Sequence, residues 1–519
     1  MTTTAHTQKT SPSVGMRFLA GVERAGNALP HPFWLFWILF AILAVASWAL
    51  SLTGLTVTDP ATGKDVGVKS ALSVEAIRTL FEGAEESFVT FGPLGTVLIV
   101  MLGVAVADKS GLFEVLARRS LSNVSPRYVV LAVAVAGALS KFLSDSAYVI
   151  LIPLGAIAFR AVGRSPMLGM IVAFVSINAA GDANPLIAPG DVVFAKVATE
   201  AAHIIDPNVT VRATDNMYFT TVSAIVLALT VTLVTELVLK KREFTLVVDQ
   251  AGADTAALAA LSPAATLGDR LERRGLRFAG VAALTFVLLT AGAILVPSSP
   301  LRSEDGGFLD SPFLHSIAIV LSLFFLILGT SFAMGSRQLA SSADIPGFMA
   351  DGVRSIAPLV VLFFAVSQFL ALFKYTKIST VVATSGADFV KGVGIGDIGL
   401  FIIVVVAIAG LNLIITSGQA LWALVAPAII PMMMLLGTNP AATMALYRIA
   451  DSCTNSITPM STSFVLCVGY LQTLNKKAGI GTLVSFTLPC AIVMFVVWFL
   501  LFLAWWALGI PLGPGAPIR

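Results

Sequence analysis

Between Gly410 and Phe464 the chain is apolar enough to lie in a membrane, yet it carries Asn412, Thr416, Ser417, Gln419, Arg448, Asp451, Asn455 and Thr458. Polar side chains are costly in lipid, so those that persist face a cavity, an ion or a solute. Their types define the chemistry. Amide, hydroxyl and carboxylate oxygens, with unwound carbonyls, suit a cation such as Na⁺. A guanidinium, or the N–H groups of a half-helix N-terminus, suits a carboxylate. A matching set lies in the first half of the chain: Ser144, Asp145, Ser146, Asn178, Asp182, Asn184 and Asp191.

Arg448 and Asp451 stand three apart, on one face of a helix. Three readings follow: a buried pair that only pins the helix, an arginine that meets an anionic solute, or an arginine that tunes a proton-carrying Asp451. Trp422 follows the polar tip and could stack on an aromatic solute or simply pack. Asp145, Asp182 and Asp191 sit in apolar surroundings and need a cation nearby to stay charged. His31, His203 and His315 fall at span ends and read as solvated.

The elements that must hold these residues are membrane helices. The chain has 519 residues, 57% hydrophobic and 12% charged, with a mean hydropathy of +0.91. Soluble domains average about 25% charged residues, so the fold class is an all-α polytopic membrane protein. A net charge of +3 is too small to suggest nucleic-acid binding. Cys453, Cys467 and Cys490 fit neither a metal site nor a disulfide framework. The polar start lacks the apolar core of a signal peptide and reads as a cytoplasmic tail.

Hydropathy and Lys/Arg asymmetry divide the chain into an N-terminal tail (1–30), a first half (31–239, spans one to four), a cytoplasmic linker (240–277), a second half (278–510, spans five to nine) and a C-terminal tail (511–519). Two apolar stretches, 128–160 and 400–436, have polar centres and read as re-entrant hairpins. Spans three (166–197) and eight (441–466) are interrupted, at residues 178–191 and 451–459, by Gly, Pro and polar residues. The segment 374–397, placed outside, carries three lysines against two aspartates and is the weak point of the charge map. The order span, hairpin, broken span, span occurs twice in opposite orientation. The spacing from tip to break also matches: Ser146 to Asn184 is 38 residues and Gly418 to Asn455 is 37. Inverted repeats with paired broken helices point to a secondary transporter with its site at the midplane.

The chain resembles the p-aminobenzoyl-glutamate transporter (AbgT) family along nearly its whole length. The resemblance rests on Val22–Pro32, Phe91–Leu112, Ser144–Ala156, Arg273–Gly280, Ser311–Ile317, Ser355–Phe369 and, most specifically, YRIADSCTNSITP at Tyr447–Pro459. It implies a homodimer of nine spans and two hairpins in the inner membrane, N-terminus cytoplasmic. It also implies Na⁺- or H⁺-driven movement of p-aminobenzoyl-glutamate or, in some members, export of sulfonamides. By motif position it implies a functional set of Asp191, Trp422, Pro440, Arg448, Asp451 and Pro459, with Asn184 and Asn412 as cation ligands. Two departures stand near the site. The family commonly has Ser-Ala-Asn at Asp182–Asn184, and Ala-Ser-Ala-Lys-Trp at Gly418–Trp422.

Together these readings give a substrate-binding set of Ser144, Ser146, Asp191, Ser417, Gln419, Trp422, Pro440, Arg448, Asp451 and Pro459. The cation-binding set is Asp145, Asp182, Asn184, Asn412, Thr416, Asp451 and Asn455. No motif of a membrane metalloprotease or an ATP-binding loop is present, so the chain does not read as an enzyme, and no cofactor is expected. A passive channel is the alternative from another class.

Overall fold

The computed structural model describes residues 30–58, 64–121, 124–143, 146–179, 181–249, 268–296, 298–303 and 311–519. Ser144 and Asp145, and nearly all of the N-terminal tail, lie outside the described residues. In chain order the helices are α1 (Pro32–Leu52), α2 (Val74–Glu82), α3 (Ala84–Val89), α4 (Gly92–Lys109), α5 (Leu112–Leu121), α6 (Val129–Ala138), α7 (Ser146–Ala161), α8 (Pro166–Ala179), α9 (Pro189–Ala202) and α10 (Met217–Val234). Then follow α11 (Asp269–Leu295), α12 (Pro312–His315), α13 (Ile317–Ser336), α14 (Asp344–Tyr375), α15 (Ile378–Val393), α16 (Asp397–Asn412), α17 (Gly418–Leu435), α18 (Pro440–Asn455), α19 (Thr462–Leu474) and α20 (Ile480–Leu508).

Among the described residues, eight helices are long and apolar enough to cross a membrane. The chain is thus an all-α, multi-pass membrane protein. Seven of the eight coincide with the uninterrupted spans expected from hydropathy, and the eighth is α17. Over the two stretches expected as broken spans the chain forms short helices, α8 and α9 in one and α18 and α19 in the other. The breaks have local causes. Pro189 opens α9, and the Asp191 carboxylate accepts the Ala188 N–H at 2.6 Å, capping its first turn. Pro440 opens α18, capped by Asn439, whose side chain accepts the Ala441 N–H. Beyond Asn455 the chain unwinds through Pro459, and the Thr458 hydroxyl donates to the Leu413 carbonyl at 2.9 Å.

Two groups of helices result. α1, α14, α4, α13 and α11 form a row, each packed on the next. Lipid tails give no hydrophobic drive to such contacts, so close backbone approach supplies the attraction. At the α4–α13 crossing a β-carbon on Gly103 would fall on the Ser322 carbonyl, and one on Gly329 would lie 2.5 Å from the Ala107 nitrogen. The other group is a bundle. α6 and α7 pack on α8, and α16 and α17 pack on α18. The packing is crossed between the two parts of the chain: α9 lies on α17 and α18, while α19 lies on α7 and α8.

Three stretches differ from the hydropathy map. The segment 374–397 is mostly helix α15, whose buried face (Ile378, Val381, Ala383, Ala387 and Val390) packs on α17. Counting its charges treats it as a loop and misses that amphipathic period. α11 begins at Asp269, inside the expected linker, because Arg118 pairs with Glu272 and Arg119 with Asp269 and Glu272. The loop after α1 carries a two-stranded ribbon, β1 (Thr56–Thr58) with β2 (Asp65–Gly67), antiparallel with Val57 opposite Val66. All three cysteines are buried and unpaired thiols.

Candidate functional site

Between the row and the bundle lies a cavity of about 690 Å³. One wall comes from the row, with small and apolar residues such as Met101 and Ala105 on α4 and Gly352 and Leu359 on α14. The facing wall is polar and comes from the bundle. It includes Lys141 beside the first hairpin tip, Ser146 at the start of α7, and Asp182 in the first break. Ser417, Gly418 and Gln419 add the second tip, and Asp451 and Asn455 the end of α18. His31, Asp108 and Lys109 line its other end, with Lys109 47% exposed.

Behind this wall the charges interlock. The Arg448 side chain, 2% exposed, donates from Nη1 to Asp191 Oδ1 at 2.6 Å and to the Asp182 carbonyl at 3.4 Å. Lys141 Nζ is ion-paired with Asp182 Oδ1 and stands 3.8 Å from Asp191 Oδ1. The Ser452 hydroxyl donates to the other Asp182 oxygen at 2.8 Å. The Phe194 ring carries both cations on its faces, Lys141 Nζ at 5.5 Å and Arg448 Cζ at 5.2 Å. An isolated charge at this depth would be prohibitive, whereas paired and hydrogen-bonded charges are tolerated.

Asp451 is held separately. Its Oδ1 accepts the Tyr447 hydroxyl at 3.2 Å and its Oδ2 accepts the Asn455 amide at 3.1 Å. The Tyr447 hydroxyl also bonds the Gly418 carbonyl. A β-carbon on Gly418 would sit 3.0 Å from the Asp451 carboxylate, so any larger residue there would make the carboxylate shift by a few tenths of an ångström. Arg448 therefore does not pair with Asp451 as helical spacing suggests. Tyr447, one turn before Asp451, occupies that carboxylate, and Arg448 reaches across to α9 instead.

Asn412 is fully buried and ties the end of α16 to α18. Its amide nitrogen donates to the Asp451 carbonyl and Thr454 hydroxyl, both at 2.8 Å, and to Asn455 Oδ1 at 3.0 Å. Its Oδ1 is buried with no protein partner. Asn184 is arranged the other way. Its oxygen accepts the Leu186 N–H at 3.1 Å, while its nitrogen is buried without a partner. The Asn412 oxygen is thus unengaged by protein, whereas the Asn184 oxygen already accepts one N–H.

Of the residues singled out from sequence, Ser146, Asp182, Ser417, Gln419, Asp451 and Asn455 line the cavity. Asp191 and Arg448 form the layer behind it. Trp422 is fully buried, donating its indole N–H to the Phe194 carbonyl at 3.0 Å and packing on Tyr447 at 4.5 Å, so its ring faces protein rather than the cavity. Pro440 and Pro459 act on backbone, at the start of α18 and in the break after it. Thr416 is half-buried in the tip beside Ser417, whose hydroxyl caps α17 by accepting the Ala420 N–H at 3.4 Å. Sequence reading passed over Lys141. Its signal was a lone lysine inside an apolar hairpin, five residues before Ser146.

A family model described as "AbgT putative transporter family" matches residues 17–519. The p-aminobenzoyl-glutamate transport protein of Escherichia coli (strain K12) is 34% identical over 495 residues, 95% of each chain. The YdaH transporter of Alcanivorax borkumensis superposes with a TM-score of 0.87 at 34% identity, covering 93% of this chain and 100% of that one. MtrF of Neisseria gonorrhoeae, described among a class of antimetabolite efflux pumps, superposes with a TM-score of 0.88 at 35% identity, covering 96% of this chain and 100% of that one.

Proposed function

The chain belongs to the AbgT family of transporters, and from that premise we propose a cation-coupled secondary transporter of a small aromatic carboxylate of the p-aminobenzoyl-glutamate type. One observation carries the reading. The cavity ends on a buried cluster in which Asp182, Asp191 and Asp451 outnumber Lys141 and Arg448. A site with an excess carboxylate binds an anion only together with a cation, and that requirement is coupling. The Asn412 oxygen, buried without a partner beside Asp451, supports Na⁺ as that cation. The Asp451 carboxylate supports H⁺ as the other choice.

The crossed packing of α9 and α19 supports the inverted repeat of nine spans and two hairpins. The inner-membrane homodimer rests on membership of the family alone. With the N-terminus cytoplasmic, the cavity end at His31 and Lys109 faces the cytoplasm. A passive channel fits less well. A second cavity, of about 220 Å³, lies around Thr90, Glu200, His203 and Lys374 and shares no lining residue with the first, so the two do not join into a pore. Likeness to MtrF favours antimetabolite export, of sulfonamides for example, as the second reading.

Purified protein in liposomes decides among these. Labelled p-aminobenzoyl-glutamate and a sulfonamide are offered with and without imposed Na⁺ and pH gradients. Accumulation above equilibrium under one gradient is expected, and uptake that never passes equilibrium would leave the channel.

A further inference from the structure

Among the described residues Lys141 is the cation that lines the inner end of the cavity, Arg448 stands in the layer behind it, and both are already ion-paired. Arg448 is held by Asp191 from α9. Lys141 lines the cavity, and its ammonium is ion-paired with Asp182, which lines the cavity beside it. Asp182 is seated as a bound carboxylate would be. One oxygen is on the ammonium, the other accepts the Ser452 hydroxyl at 2.8 Å, and its side chain is 12% exposed. A β-carbon on Gly190, at the start of α9, would lie 3.4 Å from Lys141 Cε, so the lysine stem is fenced on that side.

We propose that Asp182 is a tethered stand-in for a substrate carboxylate: it fills the anion seat on Lys141 and sets the site to prefer solutes carrying one carboxylate over those carrying two. The inference deepens the transporter reading and rests on it: within the aminobenzoyl class it ranks p-aminobenzoate above p-aminobenzoyl-glutamate, which this site still binds but more weakly. The charge count gives the reason. A dicarboxylate would bring five carboxylates against two cations in a buried site, whereas a monocarboxylate brings four. Removing the Asp182 charge frees Lys141 for the second carboxylate of the solute.

The test is equilibrium binding of labelled p-aminobenzoate (one carboxylate) and p-aminobenzoyl-glutamate (two) to the purified full chain. The wild type is expected to favour the monocarboxylate. In Asp182→Asn the affinity ratio should move toward the dicarboxylate by about tenfold or more, the scale of one hydrogen bond to a charged group. Adding Lys141→Met should return the ratio to the wild-type side, because the freed ammonium is then gone. Asp182→Ser, which also keeps a polar group, is the second variant should Asp182→Asn fail to fold. A ratio unmoved in the folded variants would overturn the role of Asp182 while leaving the transporter reading intact. Binding of neither compound by any form would overturn the aminobenzoyl reading and this inference together.

Discussion

Arg448 and Asp191 make the most consequential contact at the scale of single residues. Removing one partner of a buried pair leaves the other charge uncompensated, at about 3–5 kcal/mol. Arg448→Ala is therefore expected to lower the thermal midpoint in detergent and abolish uptake. Arg448→Met combined with Asp191→Leu should restore the midpoint but not uptake. A double variant as unstable as Arg448→Ala would show that the pair is not what the arginine stabilises. At Gly418 the added methyl of Gly418→Ala would press on the Asp451 carboxylate, 3.0 Å away. Uptake should fall while the midpoint changes little, and unchanged uptake would mean that the tip need not touch Asp451. Outside the membrane, burial raises the Asp215 carboxyl from 3.8 to about 6. Its Oδ2 accepts the Arg212 N–H at 2.9 Å. A pKa higher in the folded than in the unfolded state means stability fully present below pH 3.8 and lost as pH rises through about 6. Asp215→Asn should flatten the midpoint over that window, and an unaltered pH profile would show that Asp215 is solvated. Residue types at the site were readable in the sequence because polar groups stand out in an apolar span. Partnerships were not. Arg448 and Asp191 are 257 residues apart, and no local period connects them.

At the scale of elements, period and punctuation carried far. Pro189 and Pro440 open half-helices, and the polar centres of both hairpin stretches fall between helix ends. Helix α15 is hidden in a charge count because its lysines look like loop charges, and only the period of its buried face reveals it. The start of α11 was lost for a different reason: its polar first turns are held by arginines from α5, a tertiary cause that hydropathy does not sense. The α4–α13 crossing depends on absent side chains. Gly329→Val would push a β-carbon against the Ala107 backbone, 2.5 Å away. Overpacking of this kind costs about 1–3 kcal/mol, so the variant should melt earlier in detergent. Gly280→Val on α11, where a β-carbon meets nothing within 4 Å, is the control. Equal midpoints for the two would mean that the helices part without cost.

For the whole molecule, neither half of the bundle is complete alone. α9 from the first half rests on α17 and α18, and α19 from the second rests on α7 and α8. A chain divided within residues 250–267 and expressed as two fragments should give stable material only when both are made together. A first fragment that purifies alone as a well-behaved species would contradict the crossed packing. The same crossing sets a timetable. Asp191 is synthesised 257 residues before Arg448. At about 5–20 residues per second this is an interval of roughly 10–50 s. Lys141, only 41 residues before Asp182 and 50 before Asp191, is paired with the first and stands 3.8 Å from the second. The first half of the chain therefore carries a counter-ion of its own for these carboxylates, made before the arginine that Asp191 finally holds.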